Sequence, residues 1–250
     1  IEDLKAPIAA NHACNLGGVL ASELASAVPG CRALIVDPVV VDELQDVARF
    51  SGLVEIPRIS KFHALNQKAV ARKYAESVSQ RYEDLNLVVV HMGGGISVAA
   101  HRLGKVVDVN QGLGGYGAFS PERAGTLDAA ALVELCFSGT FTQEEMMRKL
   151  IGGGGLVAYL GTNDVELVES RARAGDKYAE LVLNAMCYTV GKEVGAMIAV
   201  LRGCVDAVLL TGGVAHSEYV VCKISEMISF SAEVCVYPGE DEMEALAMGA

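Results

Sequence analysis

The chain of 250 residues carries 31 acidic and 20 basic side chains, and its formal net charge is −11 at pH 7. With 52% hydrophobic residues, it has enough apolar surface for one large domain or two modest ones with a substantial core. The acidic charge without a basic cluster argues against a nucleic-acid partner, and no apolar run approaches the roughly 20 residues of a membrane-spanning helix.

The first third of the chain predicts a mixture of helices and strands. Helical apolar spacing covers residues 11–28, and a short apolar run over 31–36 predicts a strand that ends at Asp37. Helical spacing returns over residues 39–50 and 64–83. This part of the sequence is typical of an α/β protein.

Three β-rich segments follow, at residues 87–91, 96–101 and 105–109. Short glycine-containing connections separate them. Consecutive strands with such tight connections predict a three-stranded meander.

The rest of the chain predicts long helices and then an alternation of strands and helices. Helical spacing covers residues 126–150 and 162–201. Apolar strands are predicted at residues 205–210 and 232–237, with helices over 217–229 and from 240 onward. A meander followed by this alternation predicts a mixed sheet of the α/β class.

The glycines between the first two meander strands form a candidate phosphate site. Gly93, Gly94 and Gly95 are consecutive and are flanked by His91 and Ser97. Glycines at a hairpin tip let backbone N–H groups point at an anion from close range. The motif is not a Walker loop, because the next element is a strand and not a helix. A tight turn without a ligand explains the glycines equally well.

A second glycine pair follows the apolar strand at residues 205–210. Gly212, Gly213 and Val214 precede a helix that Ser217 is expected to cap. The carboxyl edge of a sheet is a frequent ligand site, and bare backbone leaves room for a base or ribose. Any strand-to-helix turn also favours glycine, so this motif alone favours a structural role.

Three further residues are candidates for chemistry, each with a plainer alternative. Asp37 ends a predicted strand and is suited to orienting a nucleophile or binding a metal, but an Asp-Pro turn also explains it. Arg123 is suited to binding a phosphoryl group, although a salt bridge with Glu122 is the alternative. His63, like most single histidines, has a structural hydrogen bond as its alternative.

The order of these motifs resembles that of the acetate and butyrate kinase family, and the similarity is closest to its butyrate kinases. It extends from residues 11–17 through 107–110 to 237–242 and covers essentially the whole chain. The resemblance implies a ribonuclease-H-like, actin-like ATPase fold. It also implies transfer of the terminal phosphoryl group of ATP to a short-chain carboxylate, with Mg²⁺, in a cleft between two domains.

The resemblance implies a role for each motif. Asp37 matches an acidic residue beside the reacting carboxylate, whereas His63 and Arg123 match groups that stabilise charge on the moving phosphoryl group. The remaining matches are phosphate-binding His91, Gly93, Gly94, Gly95 and Ser97, adenosine-binding Gly212, Gly213 and Val214, and a magnesium-associated carboxylate, Asp241 or Glu242.

The resemblance also predicts the domain organisation. Residues 1–38 are expected to be a remnant of an amino-terminal ribonuclease-H-like domain, 39–238 the nucleotide-binding domain, and 239–250 the start of a helix that returns to the first domain. Because the chain starts at Ile1 and lacks the family's first phosphate loop, we expect a piece of a longer protein that is inactive alone. Family members are homodimers or larger, so a homo-oligomer is expected. Seven scattered cysteines indicate reduced thiols and a cytoplasmic location.

One loop departs from the family pattern, which has an acid at the positions of Gly114 and Tyr116 and a proline at Ala118. Three alternatives remain open, and the second of them rests on this departure together with the missing first phosphate loop. The acceptor is acetate, propionate or a branched acid; or the protein binds nucleotide without catalysis; or, least supported by the motif, it is a dinucleotide-dependent enzyme.

Overall fold

The computed structural model describes residues 14–250, with side chains from residue 16 onward. The first helix, α1 (Cys14–Ala27), confirms the described part of the helix predicted over residues 11–28. The start of that helix, and of the family-like motif at residues 11–17, lies outside the described residues.

A five-stranded mixed sheet organises the described chain, in the order β3-β2-β1-β4-β5. The strands are β1 (Asn86–Met92), β2 (Ile96–Arg102), β3 (Lys105–Val109), β4 (Ala207–Gly212) and β5 (Glu233–Pro238). β1, β2 and β3 pair antiparallel, which confirms the predicted meander. β4 joins β1 in parallel and β5 joins β4 in parallel, so the later alternation extends the same sheet.

Helices cover both faces of this sheet. The further α-helices are α2 (Ala64–Ser77), α3 (Ala129–Phe137), α4 (Gln143–Leu150), α5 (Gly155–Leu160), α6 (Val165–Arg173), α7 (Lys177–Val200), α8 (Glu218–Ile228) and α9 (Glu242–Gly249). Short 3-10 turns lie at Asp46–Arg49, Tyr82–Asp84 and Gly213–His216. Ser217 caps α8 as predicted, because its hydroxyl accepts a hydrogen bond from the Val220 N–H at 3.1 Å.

The alternation of β1 divides the core into two layers. Leu87 and Val89 pack with Tyr74 and other residues of α2 on one face. Val88 and Val90 pack with residues of α7 and α8 on the other. Both faces of the sheet are therefore covered, which explains why residues 87–90 of β1 and 207–210 of β4 are all apolar.

Two elements predicted in the first third of the chain are wrong. Residues 31–36 pair with no strand of the described sheet, so Asp37 does not end a strand. Within 39–50 only the 3-10 turn Asp46–Arg49 forms. Two backbone carbonyls of this region instead accept hydrogen bonds from the segment that precedes α2. Phe62 N–H donates to Val39 O, and Arg58 N–H donates to Arg49 O.

The long predicted helices are shorter or divided. α2 ends at Ser77 rather than at residue 83. The helix predicted over 126–150 is α3 and α4, separated at Gly139, whose φ is +77°. That over 162–201 is α6 and α7, separated at Gly175, whose φ is +98°. Both glycines adopt a left-handed backbone that other residues rarely enter, so each ends a helix.

No helix in residues 14–250 is both long and apolar enough to cross a bilayer.

Candidate active site

The β1–β2 hairpin is tied to the loop that carries Arg123. Gly93 N–H donates to Gly95 O at 3.0 Å, which closes the turn. The Gly94 carbonyl accepts from Ser120 Oγ at 2.6 Å and from Glu122 N–H at 3.1 Å. A Cβ atom at Gly95 would overlap the Arg123 guanidinium, so glycine is what lets the side chain approach the hairpin.

Arg123 has donors that the described residues leave without an acceptor. Its Nε and Nη1 atoms are buried and have no hydrogen-bond partner in residues 14–250. Burial lowers the pKa of this guanidinium from its usual value. The side chain lines a cavity of about 280 Å³ with Ile96, Gly112 and Thr126. Buried donors without an acceptor at a cavity are suited to an anionic ligand.

His63 lies at the start of α2, beside the hairpin. Its Nδ1 is 2.8 Å from Ser97 Oγ. Its ring stacks on that of His91, with centroids 3.9 Å apart and planes 16° from parallel. The structure therefore brings three of the predicted site residues, His63, His91 and Ser97, into one cluster at the base of the glycine turn.

His91 is held by two residues that sequence reasoning missed, Asn66 and Glu240. Its Nδ1 is 2.8 Å from Asn66 Oδ1, while Asn66 Nδ2 donates to the Glu240 carbonyl at 3.2 Å. His91 Nε2 lies 3.5 Å from Glu240 Oε1. The hydrogen bond from His91 lowers the pKa of the Glu240 carboxyl. Glu240 directly precedes Asp241, the first of the two predicted acids, whereas the polar Asn66 on α2 gave no sequence signal.

Asp37 is placed against α2. Its Oδ2 is 3.0 Å from Arg72 Nη1, and its Oδ1 is 3.8 Å from Lys68 Nζ. Asp37 has a positive φ of +38° and lies in a bend. The two ion pairs hold the Asp37 carboxylate, with 15% of its side chain exposed, against α2.

The second glycine bend lies directly beside the hairpin. Gly212 has a φ of +88°, and a Cβ atom there would overlap the Met92 carbonyl at the end of β1. Gly212 and Gly239 exchange two backbone hydrogen bonds of 3.1 Å each, which ties β4 to the segment before α9. The two glycine bends therefore meet at the same edge of the sheet.

Gly213 opens onto a cavity of about 750 Å³. A Cβ atom at Gly213 would meet nothing within 4 Å, so its backbone faces open space. Val214 and residues of α6, including Glu169 and Arg173, line the same cavity. This volume is large enough for a nucleoside.

The predicted magnesium carboxylates lie just after this bend. Asp241 precedes α9, with its Oδ2 3.7 Å from Lys73 Nζ, and Glu242 is in the first turn of that helix. The described residues contain no group of three or more His, Cys, Asp or Glu side chains that could hold a metal. Mg²⁺ is commonly bound by one or two carboxylates together with substrate phosphates, so these acids fit such an ion without a protein cage. Glu240 is the acid that contacts the hairpin histidines.

The loop that departs from the family pattern is anchored by Arg58. Its Nε donates to the Tyr116 hydroxyl at 2.9 Å, and its Nη2 pairs with Asp108 Oδ1 at 2.7 Å. Ala118 is buried, and a Cβ atom at Gly114 would lie 2.5 Å from Ile151 Cδ1. The loop therefore has a neutral hydroxyl where the family pattern has an acid.

Three solved kinases share this fold. The acetate kinase of Porphyromonas gingivalis is 22% identical with a TM-score of 0.82, over 94% of this chain and 67% of that one. The propionate kinase of Francisella tularensis is 20% identical with a TM-score of 0.72, over 81% and 60%. The acetate kinase of Entamoeba histolytica is 17% identical with a TM-score of 0.72, over 83% and 62%. This chain thus spans about two thirds or less of their lengths.

These likenesses, with the mixed sheet of a meander and two parallel strands, confirm the ribonuclease-H-like, actin-like ATPase fold. A family model described as the acetokinase family matches residues 53–230, which is well over half of the chain and includes the hairpin, Arg123 and the second glycine bend. The chain belongs to the acetokinase family.

Proposed function

We propose that the protein to which this chain belongs transfers the terminal phosphoryl group of ATP to a short-chain carboxylate, with butyrate as the acceptor. A carboxylate oxygen attacks the γ-phosphorus, the bond from phosphorus to the β–γ bridging oxygen breaks, and ADP leaves with that oxygen. The product is an acyl phosphate, and the reaction is reversible. No proton has to be removed from the acceptor, because a carboxylic acid is ionised at pH 7.

One observation carries this proposal: the two glycine bends meet at one edge of the sheet, with Arg123 and two histidines at the hairpin. In-line phosphoryl transfer needs positioned donors and cations around the moving group more than it needs a covalent nucleophile. Arg123 has buried donors available, and His63 and His91 lie below the glycine turn. Asp37 is assigned a position beside the carboxylate that accepts the phosphoryl group.

The nucleotide is assigned across the two bends. Gly93, Gly94 and Gly95 face the phosphates, and the open backbone of Gly213 faces the nucleoside in the 750 Å³ cavity. Asp241 or Glu242 would hold Mg²⁺, with Glu240 beside them. When bound, the ion would neutralise charge on the phosphate oxygens.

We further propose the domain division expected from the sequence: a remnant at 1–38, a nucleotide-binding domain at 39–238 and a returning helix from 239. The chain spans 67% or less of the length of the solved kinases, and a two-domain cleft requires both sides. We therefore expect this chain alone not to turn over ATP and butyrate.

The test is formation of acyl hydroxamate by the natural full-length protein, with ATP, Mg²⁺, hydroxylamine and a series of acids. Butyrate should give a higher kcat/KM than acetate, propionate or isobutyrate. Arg123→Lys, which keeps the charge but removes the planar fork, should lower kcat for every acid. A preference for another acid would overturn butyrate as the acceptor, and no hydroxamate from any acid would overturn the carboxylate kinase.

The second candidate function is nucleotide binding without catalysis. The observation that favours it is the altered loop, where neutral Tyr116 hydrogen-bonds to Arg58 in place of an acid. Calorimetry that detects ATP binding, combined with no turnover of any acid by the full-length protein, would support this alternative.

We also propose a homo-oligomer and a cytoplasmic location. α3 has no buried residue in the isolated chain, although it carries Leu135 and Phe137. Such an apolar helix favours a covering partner, for which we propose a second copy. Free thiols at the described cysteines suit a reducing compartment. Phe137→Glu should lower the mass measured by sedimentation, and an unchanged mass would refute α3 as the interface.

A further inference from the structure

A continuous chain of buried hydrogen bonds runs from His63 into the core. His63 Nδ1 is 2.8 Å from Ser97 Oγ, which is itself 2.8 Å from Gln67 Nε2. Gln67 Oε1 is 3.0 Å from His101 Nε2, and His101 Nδ1 is 2.7 Å from the Tyr82 hydroxyl. Ser97, Gln67 and His101 are fully buried. The direction of each hydrogen bond can be derived from one fixed point.

That fixed point is the backbone carbonyl of Ser97, which can only accept. It lies 3.0 Å from the end of the Gln67 amide, so this end must be the NH₂ group. The two amide hydrogens are then donated to the carbonyl and the hydroxyl of Ser97. The other end of the amide, Oε1, is left to face His101 as an acceptor.

The hydrogen positions on His101 and Tyr82, at the far end of this series of hydrogen bonds, follow from the orientation of the Gln67 amide. Because Oε1 only accepts, His101 Nε2 must carry a hydrogen. Burial lowers the pKa of His101 to about 3, so the ring is neutral at pH 7 and its Nδ1 has no hydrogen. Burial also raises the pKa of Tyr82, which keeps its proton and donates it to His101 Nδ1.

The hydrogen bonds of the Ser97 hydroxyl determine which nitrogen of His63 carries a hydrogen. The Ser97 hydroxyl accepts from Gln67, and its other partner in the described residues is His63 Nδ1. A buried hydroxyl hydrogen requires an acceptor, and Nδ1 is the acceptor that lies within reach. The hydrogen of a neutral His63 ring therefore belongs on Nε2.

We propose that Gln67, with His101 and Tyr82 behind it, is a positioning residue that holds His63 in the neutral form with its hydrogen on Nε2. The consequence for catalysis rests on the proposed function: His63 then serves a phosphoryl oxygen as a fixed hydrogen-bond donor, not as a general base.

The stacked ring of His91 has the opposite state at its Nδ1 atom. The Glu240 carbonyl only accepts, so it fixes the Asn66 amide with Nδ2 towards Glu240 and Oδ1 towards His91 Nδ1. His91 Nδ1 must therefore carry a hydrogen, whereas His63 Nδ1 must not. This contrast supplies an internal control for a measurement on His63.

The tautomers can be read directly by ¹⁵N NMR of the full-length protein labelled in histidine, with His63 signals identified by their loss in His63→Gln. At neutral pH, His63 and His101 should each show hydrogen on Nε2 alone, and His91 should show hydrogen on Nδ1. Hydrogen on His63 Nδ1 in the wild type would overturn the proposal. This measurement requires no core variant to fold and no turnover.

Gln67→Met tests whether the hydrogen bonds of Gln67 determine the tautomer of His63. Without the amide, the Ser97 hydroxyl is free to accept from His63, so both His63 tautomers should be seen while His91 is unchanged. Ser97→Ala should give the same mixture if Gln67→Met does not fold. Gln80→Met, at an exposed position after α2, is the matched control and should leave all tautomers unchanged. If His63 keeps its hydrogen on Nε2 alone in both Gln67→Met and Ser97→Ala, the proposed role of Gln67 is overturned.

Turnover separates this proposal from the proposed function. In Gln67→Met, kcat should fall about tenfold, less than the 10²–10³ typical of removing a donor outright, with the KM for ATP within about twofold. If wild-type kcat is retained although the tautomers mix, the catalytic consequence is wrong. If the wild type has no kinase activity but shows the expected tautomers, the proposed function fails and the assignment of His63 stands.

Discussion

A methyl group added at Gly95 would displace the guanidinium of Arg123. The backbone of Gly95 is not in the left-handed region, so alanine can adopt it, and the effect comes from the Cβ atom alone. That atom would overlap the Arg123 Nη1 position and lie 2.5 Å from the Gly112 carbonyl. To reach an ordinary contact near 3.5 Å, the guanidinium would have to withdraw by roughly 2 Å.

The expected loss of activity follows from that displacement. A misplacement of about 1 Å in a positioning group costs about 10²-fold in rate, and loss of a charge-stabilising donor costs about 10²–10³. Gly95→Ala should therefore lower kcat/KM by about 10²–10³. The clash with the Gly112 carbonyl adds overpacking, which should lower the free energy of unfolding by about 1–3 kcal/mol.

A double-mutant cycle in the hydroxamate assay decides whether the loss acts through Arg123. In an Arg123→Ala background the guanidinium is already absent, so adding Gly95→Ala should change kcat/KM by no more than about twofold. Circular dichroism and urea unfolding confirm that each variant is folded. If the two losses simply multiply, Gly95→Ala acts independently of Arg123, and the reasoning from the overlap is refuted.

Two predictions concern stability. Since the native pKa of His101 is lowered to about 3, the unfolded chain binds the extra proton as pH falls below about 6.5, and the native state loses stability over that range. Between pH 7 and pH 5, the free energy of unfolding measured with urea should fall by about 2 kcal/mol more in the wild type than in His101→Gln. Equal decreases in the two proteins would contradict a buried neutral ring. Arg58→Met should lower the free energy of unfolding by about 3–5 kcal/mol, because Asp108, with 10% of its side chain exposed, loses its partner. The matched control, Arg49→Met, should lower the free energy of unfolding by less than about 1 kcal/mol, because the side chain of Asp42 is 42% exposed. A similar decrease in both variants would contradict burial as the cause.

The sheet could be predicted from the sequence because each of its strands carries a local signal. β1 and β4 contain the continuous apolar runs at residues 87–90 and 207–210, and glycine turns end β1, β2 and β4. The first third of the chain could not be predicted in this way. Residues 31–36 have strand-like composition, but a strand requires a neighbour, and the composition of a segment does not say whether one is present.

Part of the candidate site could also be predicted. His63, His91, Ser97 and Arg123 were predicted from the order of motifs, and the structure places them around one hairpin. Asn66 and Gln67 were missed, because polar residues on a helix normally indicate a solvent-facing side. Here they face the sheet, where their amides fix the orientation of two imidazoles, and only tertiary contacts reveal this.

The position of the candidate site follows from strand alternation and parallel pairing. In β1, His91 is two residues after Val89 and therefore lies on the α2 face, beside Asn66. In the register of β1 with β4, His91 is paired with Thr211, so the glycines that follow each strand come to the same edge. A slip of one residue would turn His91 to the α7 face and separate it from His63. A nucleotide bound as we propose must therefore cross the end of β1, with its phosphates towards Gly95 and its base towards Gly213.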